Sequence, residues 1–351
     1  MSATPVPRVS VIVPCYNLGE FLDEAVSSVL AQTFQDCEIL VVDDGSTDAA
    51  TRALIERYER PRTHVIRIEH AGLAAARNAG IAAARGEYLC ALDADDRLAP
   101  TFLEKTVRVL DGDSSIAFVS TWLRTFGTEE WEWKPERCDL PTLLSENTVL
   151  TASLVRRSAV ADVGGYDTAM PVQGDEDWDL WLRLVERGHR GAILREMLFE
   201  YRRRPGSMST ICWHGPGHLP LAKYRITMHE DAYRAHLSDV LRRQDDESAA
   251  LLRHNDELER LIGSDLEPAV AARREELRQL RERLVLRQAR DERMDEPDRP
   301  SIAAAARIHE LESTLHIVAE EAAALRNSMS WRLTAPLRDA YGWWRRQRGR
   351  A

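Results

Sequence analysis

The chain has 351 residues and an apolar share ordinary for a soluble globular protein, enough for one large domain with an appendage. Its formal net charge of −10 argues against general nucleic-acid binding, although Arg326, Arg332, Arg338, Arg345, Arg346, Arg348 and Arg350 make the last stretch basic. The cysteines are scattered and lack Cys-x-x-Cys spacing, which suggests neither a zinc site nor a disulfide framework and fits a reducing cytosol.

A Pro-containing lead over residues 1–8 carries no basic-then-apolar signal pattern and opens into a strand at Val9. Three strand-helix alternations follow. Val9 to Val13 precedes a helix over Phe21 to Leu30, Glu38 to Val42 precedes Ala49 to Tyr58, and Val65 to Ile68 precedes Leu73 to Ala84. A fourth strand spans Tyr88 to Leu92. This alternation predicts an α/β fold with a mostly parallel sheet, whose ligands collect at the carboxyl ends of the strands. The polar residues obey that rule, since Tyr16 and Asn17 follow the first strand, Asp43 to Ser46 the second, and Asp93, Asp95 and Asp96 the fourth.

Further strands are expected at Ile116 to Thr121, Val149 to Val155 and Met197 to Tyr201, with a helix over Asp177 to Arg187. From about His236 to Arg326 aromatic residues vanish, and Glu, Arg, Leu and Ala take over. Ile308, Leu311, Leu315, Val318, Ala322 and Leu325 form one short heptad seam, and Val270, Leu277, Leu280 and Leu284 suggest another. Pro297 and Pro300 break the helix between them. No uninterrupted apolar run is long enough to span a bilayer.

Placing three carboxylates at the rim of a buried strand costs desolvation and mutual repulsion unless a cation is held there. Oxygen-only ligands suit Mg2+ or Mn2+. The solvated-loop alternative, with Asp96 as a cap, fits that strand context poorly.

The blocks Val9-Ser10-Val11-Ile12-Val13-Pro14, Tyr16-Asn17 and Val42-Asp43-Asp44-Gly45-Ser46-Thr47-Asp48 resemble the start of family 2 glycosyltransferases with the GT-A fold. Gly72 to Gly80, Gly164-Gly165-Tyr166-Asp167 and Glu176-Asp177-Trp178-Asp179-Leu180-Trp181-Leu182-Arg183 agree in the family's order, so the resemblance covers roughly the first 210 residues. It implies a GT-A domain over 9–235, a Rossmann-like nucleotide-diphospho-sugar transferase; outside the resemblance, composition and heptads mark a helical, coiled-coil region over 236–326 and a basic aromatic tail over 327–351.

The resemblance also assigns roles. Pro14, Tyr16 and Asn17 would wall the base of a nucleotide sugar, with Asp43 or Asp44 accepting from it. Asp93 would approach ribose or metal-bound water, Asp95 would ligate Mn2+ or Mg2+, and Arg77 would have a structural or phosphate-orienting role. Asp96 remains a further candidate ligand. Asp177 is the expected base, Glu176 its alternative, and Trp178 a candidate sugar-stacking face. Arg204 stands where relatives often place His, leaving phosphate pairing as its role.

The implied reaction is transfer from a UDP-linked donor to a hydroxyl of a glycan or lipid-linked acceptor, by single displacement with inversion, in surface-polysaccharide synthesis. A nucleotidyltransferase or dehydrogenase should open on a Gly-rich loop where this chain has Pro14-Cys15-Tyr16-Asn17. A catalytically silent scaffold acting through its tail is the non-enzyme alternative. Ser328 to Arg338 resembles a closing motif of bacterial surface-polysaccharide proteins. With Tyr341, Trp343 and Trp344 it suggests peripheral contact with an anionic membrane or docking to a partner, and the heptads suggest self-association. The expected location is cytoplasmic, reaching at most the inner face of the membrane.

Overall fold

A computed structural model of the chain describes residues 6–204, 218–260, 264, 267–291, 307–314, 316 and 317. The first half alternates as expected: β1 Val9–Cys15, α1 Gly19–Leu30, β2 Cys37–Asp44, α2 Ala49–Ile55, β3 Thr63–Ile68, α3 Leu73–Ala83 and β4 Tyr88–Ala91. Every residue of β1, β2 and β4 is buried, because helices cover both faces of the sheet. Alternate β1 residues serve opposite layers. Val9, Val11 and Val13 pack with Leu22, Val26 and Phe102, whereas Ile12 packs with Ala76, Leu143 and Trp181.

The second half adds β5 Arg97–Leu98, α4 Phe102–Gly112, β6 Ile116–Gly127, β7 Glu132–Trp133, α5 Leu140–Ser145, β8 Leu154–Arg156, α6 Arg157–Val163, α7 Glu176–Glu186 and β9 Arg190–Arg203. These strands complete one sheet in the order β3-β2-β1-β4-β8-β6-β9-β5, with β7 on β6. Pairing is parallel from β3 through β4, then antiparallel at β4 with β8 and β8 with β6. The long β6 and β9 pair in parallel with register shifts.

Three expectations need correction. The strand expected over Val149 to Val155 is a strand only from Leu154, because Ser153 N–H donates to Leu150 O at 3.1 Å and turns the chain into its antiparallel path. Helix α2 ends at Ile55, short of Tyr58, where the Arg67 guanidinium donates to the Ile55 carbonyl at 3.0 Å. The strand expected at Met197 to Tyr201 runs from Arg190 to Arg203, extended in both directions by its pairing with β6.

Four helices follow: α8 His218–Met228, α9 Glu230–Ala235, α10 Leu237–Arg260 and α11 Glu267–Asp291. The chain divides into two compact units, residues 1–243 and 244–351. In the second, Leu277 and Leu311 are buried, and Arg281 with Glu312 and Arg307 with Glu276 join α11 to residues 307–317. The break near 297–300, the seam beyond Ile317, Leu315 and the tail over 327–351 lie outside the described residues. No helix among the described residues is long and apolar enough to cross a membrane.

Candidate active site

Four strand ends and the start of α7 meet at one edge of the sheet. After β1 the chain turns through Asn17 in a left-handed conformation (φ 56°), a position its short amide side chain tolerates. Its Oδ1 accepts from the backbone N–H groups of Thr47 and Asp48, each at 2.8 Å, and its own N–H donates to Ser46 Oγ at 3.1 Å. Asn17 therefore fastens the β1 loop to the β2–α2 turn. Pro14 lies inside β1 opposite Val42 and is buried, so it offers no open wall.

Asp43 accepts from Ser46 N–H at 3.0 Å. Asp44 is buried and accepts from the N–H groups of Ala71 and Gly72 at 2.8 and 3.0 Å, and its Oδ2 lies 2.9 Å from His70 Nδ1. Both carboxylates thus shape the loops around the edge, and Asp44 aims His70. The exposed Tyr16 ring stacks on His70, with centroids 4.2 Å apart and planes at 21°. That aromatic pair is the open flat surface of this corner. His70 went unread in the sequence, where a lone histidine after β3 carries no pattern. Gly45 (φ +66°) makes the approach possible, since a Cβ there would meet the His70 backbone nitrogen at 2.7 Å.

The acidic loop after β4 spreads its three carboxylates into different settings. Asp93 is the most open, with its side chain 28% exposed, and accepts from Arg77 at 2.7 Å. Asp95 accepts from Arg204 Nε at 2.8 Å. Burial pushes its carboxyl up, and the Arg204 guanidinium pulls it back. Asp96 points inward. It is buried and accepts from Arg202 N–H at 2.8 Å, so it holds the end of β9, and burial raises its carboxyl well above the usual range. Arg202 also donates to the Asp95 carbonyl at 2.8 Å and stacks over Phe21.

Arg77 is fully buried on α3. It donates to Asp93 at 2.7 Å and to Glu176 at 2.6 Å, bridging the acidic loop to the start of α7, and those two carboxylates raise its pKa despite burial. Its guanidinium is spent on carboxylates, so Arg77 orients the site from below.

Glu176 is buried, and its second oxygen accepts from Gly174 N–H at 2.9 Å. Asp177 differs. Its side chain takes a hydrogen bond from the Thr151 hydroxyl and one from Asn147 Nδ2 at 3.3 Å. Burial and the neighbouring Glu176 push its carboxyl up to about 7. Thr151 and Asn147 precede β8, and the sequence presents Thr151 as part of a strand over Val149 to Val155. Trp178, expected as a candidate sugar platform, is a correction: its ring is buried under Arg225, and its Nε1 donates to Leu143 O at 2.6 Å.

Among the described residues no group of three or more His, Cys, Asp or Glu is arranged to hold a metal ion. Asp93 and Asp95 nevertheless suit a hard divalent cation, because both offer carboxylate oxygen at the sheet edge and the desolvated Asp95 already draws a cation, Arg204. The remaining ligands would come from an anionic substrate.

The glycosyl transferase family 2 model matches residues 10–167. The putative glycosyltransferase EpsE of Bacillus subtilis is 31% identical over 208 residues, covering 56% of this chain and 73% of that protein. The putative teichuronic acid biosynthesis glycosyltransferase TuaG of the same organism is 32% identical over 218 residues, covering 59% and 83%. Among solved structures, S. aureus TarS 1–349 in complex with UDP-GlcNAc aligns with a TM-score of 0.50 at 20% identity. The alignment covers 57% of this chain and 60% of that one, less than two thirds of its length, and the likeness is one of fold, the GT-A fold.

Proposed function

The chain belongs to glycosyl transferase family 2, and from that premise we propose that it transfers a sugar from a UDP-linked donor to a hydroxyl of a glycan or lipid-linked acceptor. The setting is surface-polysaccharide synthesis. This reading draws on TuaG, named for teichuronic acid biosynthesis, and on TarS, solved with UDP-GlcNAc. The observation that carries it is the bridge from Asp93 through Arg77 to Glu176, which sets the acidic loop beside Asp177. A donor-side acid and an acceptor-side base are thereby held in one rigid frame.

Asp177 removes the acceptor proton as the hydroxyl oxygen attacks the anomeric carbon. The bond from that carbon to the diphosphate oxygen breaks on the opposite face, so one displacement inverts the centre. A carboxyl near 7 is well matched to take a proton at neutral pH. Glu176 is the weaker candidate because it is ion-paired with the fully buried Arg77 at 2.6 Å, whereas the hydrogen bonds to Asp177 come from neutral donors. Tyr16 and His70 offer the flat face for the base. Asp95, with Asp93, would hold Mn2+ or Mg2+, whose charge would offset that of the leaving diphosphate. Arg204, whose Nε meets Asp95 at the same loop, would pair with phosphate, while Arg202 is held by Glu24 and the Asp95 carbonyl. A silent scaffold gives no reason for a polar base site inside a buried frame.

The test is incubation with Mn2+ and a panel of nucleotide sugars, following nucleoside diphosphate release and reading the product's anomeric coupling by proton NMR. Asp95→Asn should lower release by about 100-fold or more, and the product should carry the inverted anomer. Full activity in Asp95→Asn, or a retained anomer, contradicts the reading.

A further inference from the structure

Asp177 follows two acidic residues, Asp175 and Glu176, and each of them is matched by an arginine from another element. Arg77 on α3 answers Glu176. Arg225 on α8 answers Asp175, the residue preceding α7. The second pair is built as carefully as the first. Arg225 is 7% exposed, its guanidinium carbon lies 3.4 Å from the centroid of the Trp178 ring, and that ring is anchored through Nε1 to Leu143 O. One turn on, His229 meets Asp179 at 3.2 Å and Glu186 at 2.9 Å, so two residues spaced by four grip two acids spaced by four. The Asp177 carboxylate bonds elsewhere, to Thr151 and Asn147.

We propose that Arg225 is a positioning residue for the base: seated on Trp178 and paired with Asp175, it fixes the start of α7 and cancels the charge that Asp175 lays beside Asp177. The inference rests on Asp177 acting as the base. The groups that bear on Asp177 are Asp175 and Glu176 next to it in the chain, Arg77 from α3, Tyr166 after α6, and Thr151 and Asn147 before β8. Arg225 acts on this set through Asp175. Burial of the pair leaves little water to screen it, so removing one partner is felt by the neighbouring carboxylate.

The test is a pH titration of the Asp177 side-chain carboxyl by carbon NMR in aspartate-labelled full-length protein, its resonance assigned with Asp177→Asn. Arg225→Gln should raise the midpoint by about one pH unit, and Asp175→Asn alone should lower it. The double variant should return it close to wild type, and Arg225→Lys should leave it nearly unmoved. A role in stability alone would lower the melting temperature of Arg225→Gln without moving the midpoint, and that result overturns the proposal. Should Arg225→Gln not fold, an unmoved midpoint in Asp175→Asn overturns it equally. Sugar transfer by Asp177→Asn separates the two readings: retained transfer removes the base, and the positioning role with it, even where the titration moves.

Discussion

The Thr151 hydroxyl and the Asn147 amide are neutral donors to the Asp177 side chain, the base in the proposed reaction. Burial and Glu176 raise its carboxyl, and the bond from Thr151 opposes that rise by favouring the charged form. Activity governed by the free enzyme should therefore fall on the acid side of about pH 7. Thr151→Val removes the opposing bond. Its acid limb should move to higher pH, with activity several-fold lower at pH 7 and largely recovered near pH 9, measured as kcat/KM against pH. An unshifted limb would mean that Thr151 serves the fold and not the base.

Helix α3 shows how an element places chemistry. Its small residues bring it against β1 closely enough that a Cβ on Gly80 would meet Ile12 Cγ2 at 2.3 Å, and this approach carries Arg77 beneath the acidic loop. Gly80→Val should cost about 1–3 kcal/mol in urea unfolding, and should weaken activity beyond the loss of folded protein by displacing Arg77. The alternation of β1 through β4 was legible in the sequence because buried parallel strands are short apolar runs ending in polar residues. The positions of Asp93 and Asp95 after β4 and of Asp177 in the first turn of α7 were legible for the same reason, while their proposed chemistry came from the family resemblance. Long-range partners were not. Asp44, Asn17 and Asp96 read as ligands, yet bond to backbone N–H groups that folding brings from 28, 30 and 106 residues away. The two-residue β5 and β7 exist only through their pairing with β9 and β6, and Thr151 gains its role from a turn that the apolar run Val149 to Val155 conceals.

At the scale of the whole unit formed by residues 1–243, buried charge joins α7 to α8 and to His229 at the start of α9. His229 is the clearest case. Burial opposes its charge, but Asp179 and Glu186 overcome that and raise it to about 9. A histidine raised in the folded state contributes stability that is fully present below its unfolded value near 6.5 and is lost as pH climbs through about 9. The melting temperature should fall on the order of 5 °C between pH 7 and 10, and His229→Gln should flatten that part of the curve. Sugar transfer by this frame, with Asp177 as the proposed base, is tested by nucleoside diphosphate release from UDP-sugars with Mn2+, compared between wild type and Asp177→Asn, with UDP binding measured in parallel. Release in the variant should be reduced by about 100-fold or more with UDP binding preserved. Release equal to wild type would contradict this role for Asp177.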